Sequence, residues 1–258
     1  MDEGTLERVV RLLFNPEVFA EVAPTLFTEG LRNTIIISFG AMAIGVVAGM
    51  FLALMRISRR WWLRAPAQIY IDIFRGLPAI LVIFFVGIGL PVAGFRPFGR
   101  DQLLAAIAAL GLVATAYTAE IFRAGIQSVE KGQMEAARSV GMGYLQAMWL
   151  VIIPQGVRRV FPPLTNEFIA LIKDSSLVFI IGVSVGGREL FRIGQNVTQT
   201  TGNVSAIVLA GIFYLIITVP LTYLVNWLDT RLREGKKLPT DVAASTGSMS
   251  RGGGGGAH

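Results

Sequence analysis

The stretch TIIISFGAMAIGVVAGMFLALM, residues 34–55, runs for 22 residues without a charged side chain. A helix needs about 20 apolar residues to cross a hydrocarbon core about 30 Å thick, so this run is a candidate membrane span. Gly40, Gly45 and Gly49 recur along it at intervals that let a second helix approach closely. Arg56, Arg59, Arg60 and Arg64 then end it. Four further apolar runs follow, at about 66–90, 103–124, 164–184 and 204–228. The second carries Asp72 and Arg75 in its first half and the breaker Gly76-Leu77-Pro78 just beyond. Pro162-Pro163 open the fourth, as prolines do in a first helical turn. The expectation is an all-α polytopic membrane protein with five transmembrane helices.

Composition agrees. Of 258 residues 53% are hydrophobic and 16% charged, against roughly 25% charged in a soluble domain. The mean hydropathy is +0.61, which excludes an ordinary water-soluble fold. With no Cys and a single His at position 258, disulfides, thiolate nucleophiles, histidine triads and most transition-metal sites are excluded. The formal charge of +6 could suit nucleic acid. The basic residues instead sit beside the apolar runs, as membrane topology requires, so no nucleic-acid partner is expected.

Five spans put the termini on opposite sides. With the C-terminus inside, the cytoplasmic segments hold Arg56, Arg59, Arg60, Arg64, Arg123, Lys131, Arg138, Arg158, Arg159, Arg231, Arg233, Lys236, Lys237 and Arg251, fourteen in all. The outside holds seven: Arg8, Arg11, Arg32, Arg96, Arg100, Arg188 and Arg192. The positive-inside rule therefore favours N-out, C-in, and the polar loop at about 128–160 is cytoplasmic. Residues 1–30 mix acids with Leu, Val and Phe and read as an amphipathic, interfacial segment rather than a signal peptide. Residues 31–230 form the transmembrane domain. From 231 to 258 the chain turns Ser/Gly/Thr-rich and reads as a disordered cytoplasmic tail.

Charges inside the runs are the functional candidates, because an ionised group at mid-bilayer costs at least roughly 2.5–3.5 kcal/mol unless it meets a partner or a polar cavity. Asp174 lies at the centre of the fourth run, with Lys173 before it and Ser175 and Ser176 after it. A self-neutralising Lys173–Asp174 pair is awkward, since helix neighbours point about 100° apart. Asn166 and Glu167, eight and seven residues earlier, share roughly the face of Asp174. Arg75 is suited to grip a carboxylate bidentately; pairing with Asp72, three residues back, is the structural alternative. Glu120 and Arg123 are also three apart, and there snorkelling of Arg123 to the headgroups is the simpler reading.

The loop reads Gly132-Gln133-Met134-Glu135-Ala136-Ala137-Arg138-Ser139-Val140-Gly141 and continues to Val151-Ile152-Ile153-Pro154. Alanines favour a helix, Glu135 suits its first turn, and Gly141 supplies a stop. The pattern Glu-Ala-Ala, three residues, Gly, nine residues, then aliphatic, any residue, aliphatic and Pro resembles the cytoplasmic-loop motif of ABC importer permeases. Three more segments, Phe74-Arg75-Gly76-Leu77-Pro78, Ala119 to Ile126, and Leu171-Ile172-Lys173-Asp174-Ser175-Ser176-Leu177, are similar to the polar amino-acid uptake family. The resemblance spans about residues 30–230.

That resemblance implies a function. A helix around Glu135, Ala136, Ala137 and Gly141 would dock on a cytoplasmic ABC ATPase dimer and transmit its closure to the spans. A second permease chain, identical or related, would complete the pathway in the bacterial cytoplasmic membrane and its lipid. An extracytoplasmic binding protein would deliver a polar amino acid. Arg75 or Lys173 would hold its carboxylate and Asp174 or Glu167 its ammonium, with Asn166 and Ser175 nearby. The chain carries no G-x-x-x-x-G-K-[ST] phosphate loop, so it is expected to bind no cofactor, with ATP and Mg on the partner. An ion-coupled secondary transporter or channel is the alternative; it would need no docking helix. A membrane enzyme lacks a nucleophile-base pair.

Overall fold

A computed structural model describes residues 3–128 and 131–234, and every regular element among them is helical. The chain opens with α1 (Glu3–Leu13) and α2 (Pro16–Thr25), then passes through a π-helical turn, Leu26–Leu31, directly into α3 (Arg32–Ile57). A tight turn leads to α4 (Trp61–Gly76), α5 (Ala79–Phe84), a second π turn at Phe85–Gly89 and the short α6 (Leu90–Val92). Then come α7 (Gln102–Ser128), α8 (Lys131–Ser139) and α9 (Tyr144–Ala147). A third π turn, Met148–Ile152, opens α10 (Ile153–Asp174), which tightens into a 3-10 helix at Ser175–Ile181. α11 (Leu190–Thr201) and α12 (Ser205–Glu234) follow.

Among the described residues three helical runs are long and apolar enough to cross a bilayer: Glu7–Ile57, Gln102–Ser128 and Ser205–Arg231. A fourth candidate is bent: α4 and the run Ala79–Val92 are apolar enough only when taken together, and they meet at 103°. Pro78 causes the break. Its ring forces Leu77 out of the helical region, to φ −87° and ψ 138°, and it offers no amide to continue the ladder.

α3 and α7 form the centre of the bundle. Gly40 packs on Ile107, Gly45 on Ala114 and Gly49 on Thr118, so contacts advance together and the two helices run parallel. The glycines permit this: a Cβ on Gly45 would lie 2.9 Å from the Ala114 Cβ. Thr118 Oγ1 donates across the seam to the Gly45 carbonyl at 2.6 Å. Ile37, Ala41, Ala106, Leu110 and Ala114 fill the interface, and Val82, Ile83 and Leu171 close over it. At Gly49 a side chain would meet Thr118 Oγ1 and the Ala119 amide. Gly49→Val is therefore expected to cost about 1–3 kcal/mol by overpacking. Gly211→Ala, where a Cβ meets nothing within 4 Å, is expected to stabilise by up to about 1 kcal/mol. Thermal unfolding in detergent checks both, and equal midpoints for the two variants would refute the close-packed seam.

Because α3 and α7 are parallel, the Arg56–Arg64 turn, Ser128 and α8 gather at one end of the molecule. α10 starts from that end and runs back, with Val160 against Ala53 and Phe122 and the Phe168 ring 4.8 Å from that of Phe39. At the opposite end the loop after Ile181 is pinned by side chains from α3 and the turn before it. Glu29 Oε2 pairs with Arg188 Nη2 at 2.8 Å, and Glu29 Oε1 accepts from the Gly186 amide at 2.7 Å. Asn33 Nδ2 donates to the carbonyls of Gly186 and Arg188, both at 3.0 Å. The paired side chains are 16% and 19% exposed, so removing one partner strands a largely buried charge. Arg188→Ala is expected to cost about 3–5 kcal/mol, and the double variant Glu29→Gln/Arg188→Met to recover much of it. A double variant no more stable than Arg188→Ala would contradict that account.

Three expectations change. Residues 1–30 are not wholly interfacial: Val22 and Leu26 are buried against Leu190, Ile193, Ala206 and Ala210, and helix is nearly continuous into α3. The fourth run is not a helix opened by Pro162-Pro163. α10 begins at Ile153 with Pro154 in its first turn and carries both later prolines inside, where they withhold amide donors from the carbonyls of Arg158 and Arg159. Asp174 consequently stands where α10 gives way to the 3-10 helix. Helix also persists through residues 231–234; the rest of the expected tail, 235–258, lies outside the described residues.

Candidate functional site

A cavity of about 1100 Å³ is bordered by Arg75 of α4, the second half of α7, the first half of α10 and the end of α12. Arg75 occupies the last turn of α4, immediately before the break, and its side chain lines this space. It stacks over Tyr117 of α7, 5.4 Å from the ring centroid, and is exposed. Asp72 does not claim it. Gln68 Nε2 donates to Asp72 Oδ1 at 2.5 Å instead, and among the described residues Arg75 enters no ion pair.

Of the other sequence candidates, Asn166 lines the same cavity from α10. Glu167 is half-buried beside it and within electrostatic reach of both Arg75 and Asp174. Asp174 is half-buried at the end of α10, and Lys173 is exposed. They form no ion pair with each other, as the angular separation of helix neighbours requires. Glu167, Lys173 and Asp174 are not among the residues that line the cavity, and neither is Ser175. Its side chain is fully buried and donates to the Ile172 carbonyl at 2.7 Å, with Ser176 doing the same to Lys173 at 2.7 Å. Both hydroxyls tighten the 3-10 turn and do not face the cavity.

Several lining residues escaped the sequence reading. Arg123 and Glu120 form a bidentate pair, with Nε–Oε1 at 3.0 Å and Nη2–Oε2 at 2.7 Å, and Arg123 Nη1 also reaches Gln127 at 2.5 Å. Their spacing was legible. That they line the cavity was not. Arg158, Arg159, Asp229 and Arg231 complete a predominantly cationic wall, and Arg159 donates to the Ser128 carbonyl, tying α10 to the end of α7. Such a wall draws anions and holds carboxylates through charge-assisted hydrogen bonds.

α8 lies directly beyond this cavity, in the chain that links α7 to α10. Gly141 stops it in the left-handed region at φ +88°, while the Gly141 amide donates to the Arg138 carbonyl at 3.1 Å and the Met142 amide to that of Ala137 at 3.2 Å. Ala137 turns inward and is buried; Glu135 and Ala136 are exposed. Next to them Leu145, Trp149 and Leu150 are also exposed, a cluster of large apolar side chains of the kind that marks a protein contact.

Comparison with known proteins places the chain. Residues 45–234 match the family model described as binding-protein-dependent transport system inner membrane component. The chain is 40% identical over 211 residues to the probable glutamine ABC transporter permease protein GlnM of Bacillus subtilis (strain 168), covering 81% of this chain and 94% of that one. It is 33% identical over 221 residues to the glutamate/aspartate import permease protein GltK of Escherichia coli O157:H7, covering 83% and 97%. Among solved structures it resembles an amino acid ABC transporter crystallised with histidines, at TM-score 0.73 and 32% identity, over 83% of this chain and 97% of that one. The methionine ABC transporter MetNI, inward facing, shares the fold at TM-score 0.62 and 20% identity, over 87% and 100%. The chain therefore belongs to the binding-protein-dependent transport system inner membrane component family, as a permease subunit of an ABC importer.

Proposed function

We propose that this chain moves a polar amino acid, of the glutamate, glutamine or cationic class, across the bacterial cytoplasmic membrane into the cell. The observation that carries this reading is Arg75: a guanidinium outside any ion pair among the described residues, at the end of a helix that breaks just beyond it, lining a cavity with Glu167 within its field. Interrupted spans are where transporters place their binding sites, since the helix ends there expose polar groups that a continuous helix would satisfy internally. Arg75 takes the substrate carboxylate, and Glu167 with Asp174 takes the ammonium, while Asn166 offers an amide between them. Lys173 balances the charge of the two acids when the site is empty.

In this reading the five crossings are α3 with the run leading into it, α4 with α5, α7, α10 with its 3-10 extension, and α12. The N-terminus is outside and α8 inside, in keeping with the excess of basic residues at the α8 end. The chain supplies no nucleotide site of its own; ATP and Mg are held by a cytoplasmic ATPase dimer. The exposed face of α8, with Glu135 and Ala136 and the neighbouring Leu145, Trp149 and Leu150, receives that partner. Its closure moves α8 as a rigid body, and the Arg159–Ser128 contact passes the motion into α7 and α10 around the cavity. A second permease chain forms the other half of the pathway, and an extracytoplasmic binding protein delivers the amino acid at the opposite end.

The test is copurification with the ATPase, reconstitution with the binding protein, and uptake of labelled glutamate, glutamine and arginine with and without ATP on the α8 side. One of the three is expected to accumulate only with ATP. Uptake that ignores ATP and follows a proton gradient would overturn the reading.

A further inference from the structure

The turn between α3 and α4 concentrates positive charge with no acidic residue close to it in sequence. Arg56, Arg59, Arg60 and Arg64 fall within nine residues, and no acidic residue occurs between Glu29 and Asp72. Arg56 turns inward, within electrostatic reach of Glu120. Arg59, Arg60 and Arg64 are exposed. Between them Trp61 and Trp62 are 73% and 53% exposed, and the Arg60 guanidinium lies 5.7 Å from the Trp62 ring.

Two exposed apolar stripes run away from this turn. On α3 they are Val47, Phe51 and Leu54, at i, i+4 and i+7; on α4, Trp62, Ile69 and Ile73 share one face. In a membrane such stripes face hydrocarbon, so the turn sits where hydrocarbon ends, the depth at which tryptophans and snorkelling arginines collect. We propose that the turn is a binding site for an anionic phospholipid. Its phosphate is held by Arg59, Arg60 and Arg64, its glycerol region lies over Trp61 and Trp62, and its acyl chains follow the Phe51 and Ile69 stripes.

One occupant satisfies both halves of this surface. A soluble anion would leave the apolar stripes and tryptophans uncovered. A second copy of the chain, docked about a two-fold axis through this turn, would set two acid-free arginine clusters against each other. An acidic protein would answer the arginines but not the stripes, which continue along the helices to the depth of Phe51 and Ile69. The site also bears on transport. Arg75 lies eleven residues beyond Arg64 on the same helix, roughly 16 Å away, so a lipid that holds the start of α4 steadies the helix that presents Arg75 to the cavity.

The test uses the full chain with Trp149→Phe and Trp227→Phe, which leaves Trp61 and Trp62 as the only reporters. It is placed in phosphatidylcholine vesicles that contain brominated phosphatidylglycerol or, in the matched set, brominated phosphatidylcholine. Phosphatidylglycerol is expected to quench preferentially. The preference is expected to fall by about fivefold for each arginine changed to Gln, and to survive Arg→Lys, which also shows that the Gln variants are not merely misfolded. Equal quenching by the two lipids, or a preference unchanged in Arg59→Gln/Arg60→Gln/Arg64→Gln, overturns the proposal. So does binding of inorganic phosphate to detergent-solubilised protein with the same arginine dependence, which would make the site one for soluble anions. Loss of the copurifying ATPase in the arginine triple variant made with Trp149 and Trp227 unchanged, with lipid preference intact, would assign the turn to that protein instead.

Discussion

Glu135→Arg is expected to abolish ATP-driven uptake while the permease remains folded and membrane-inserted. Glu135 is exposed on α8, so reversing its charge removes nothing from the core. At a docked interface, however, a like-charge contact costs several kcal/mol, enough to weaken or misplace the ATPase more than a hundredfold. ATP hydrolysis by the complex should then lose its dependence on substrate-loaded binding protein. Changing Arg158, which is on the cavity wall rather than α8, should leave that dependence in place. Uptake at the unmodified rate with Glu135→Arg would remove α8 from the coupling path.

The second large effect is expected at Arg75. Its guanidinium makes no ion pair among the described residues and is exposed, so Arg75→Gln should leave thermal stability almost unchanged. Hydrogen bonds to a charged group are worth about 1.5–3 kcal/mol, which corresponds to uptake falling about 10- to 100-fold. Arg75→Lys should restore only part of the loss, because an ammonium lacks the planar fork that meets both carboxylate oxygens. Asp174→Asn should fall by a similar factor if it meets the substrate ammonium. Uptake within twofold of the unmodified protein in Arg75→Gln would mean that the carboxylate is held elsewhere, with Lys173 the next residue to change. Measuring transport and unfolding on the same preparations separates a lost contact from a lost fold.

Much of this site could be read without coordinates, and the rest could not, for particular reasons. Arg75 and the Gly76-Leu77-Pro78 break are local features: proline removes a donor and restricts its predecessor wherever it stands. Gly141 was likewise readable as a helix stop because the left-handed turn is a property of glycine itself. Ser175 was misread because its neighbours, not its identity, decide whether a hydroxyl meets substrate or its own backbone. Glu120 and Arg123 were correctly spaced to pair. Which way the pair faces depends on α10 packing on α7, with the end of α12 bordering the cavity, and no i, i+3 rule contains that.

From its residues alone the chain is a helical membrane protein with one interrupted span, a capped polar loop helix and a few charges too costly to be incidental. Those conclusions rest on interactions within a few residues of each other and on the thickness of a bilayer. Tertiary packing decided what lies together: that α3 and α7 run parallel on a glycine seam, that α10 continues through two prolines and ends at Asp174, and that Arg75, Asn166 and the Glu120–Arg123 pair share one cavity wall. These are contacts between residues tens of positions apart, set by which surfaces fit and which polar groups find partners, and periodicity along one helix carries no record of them.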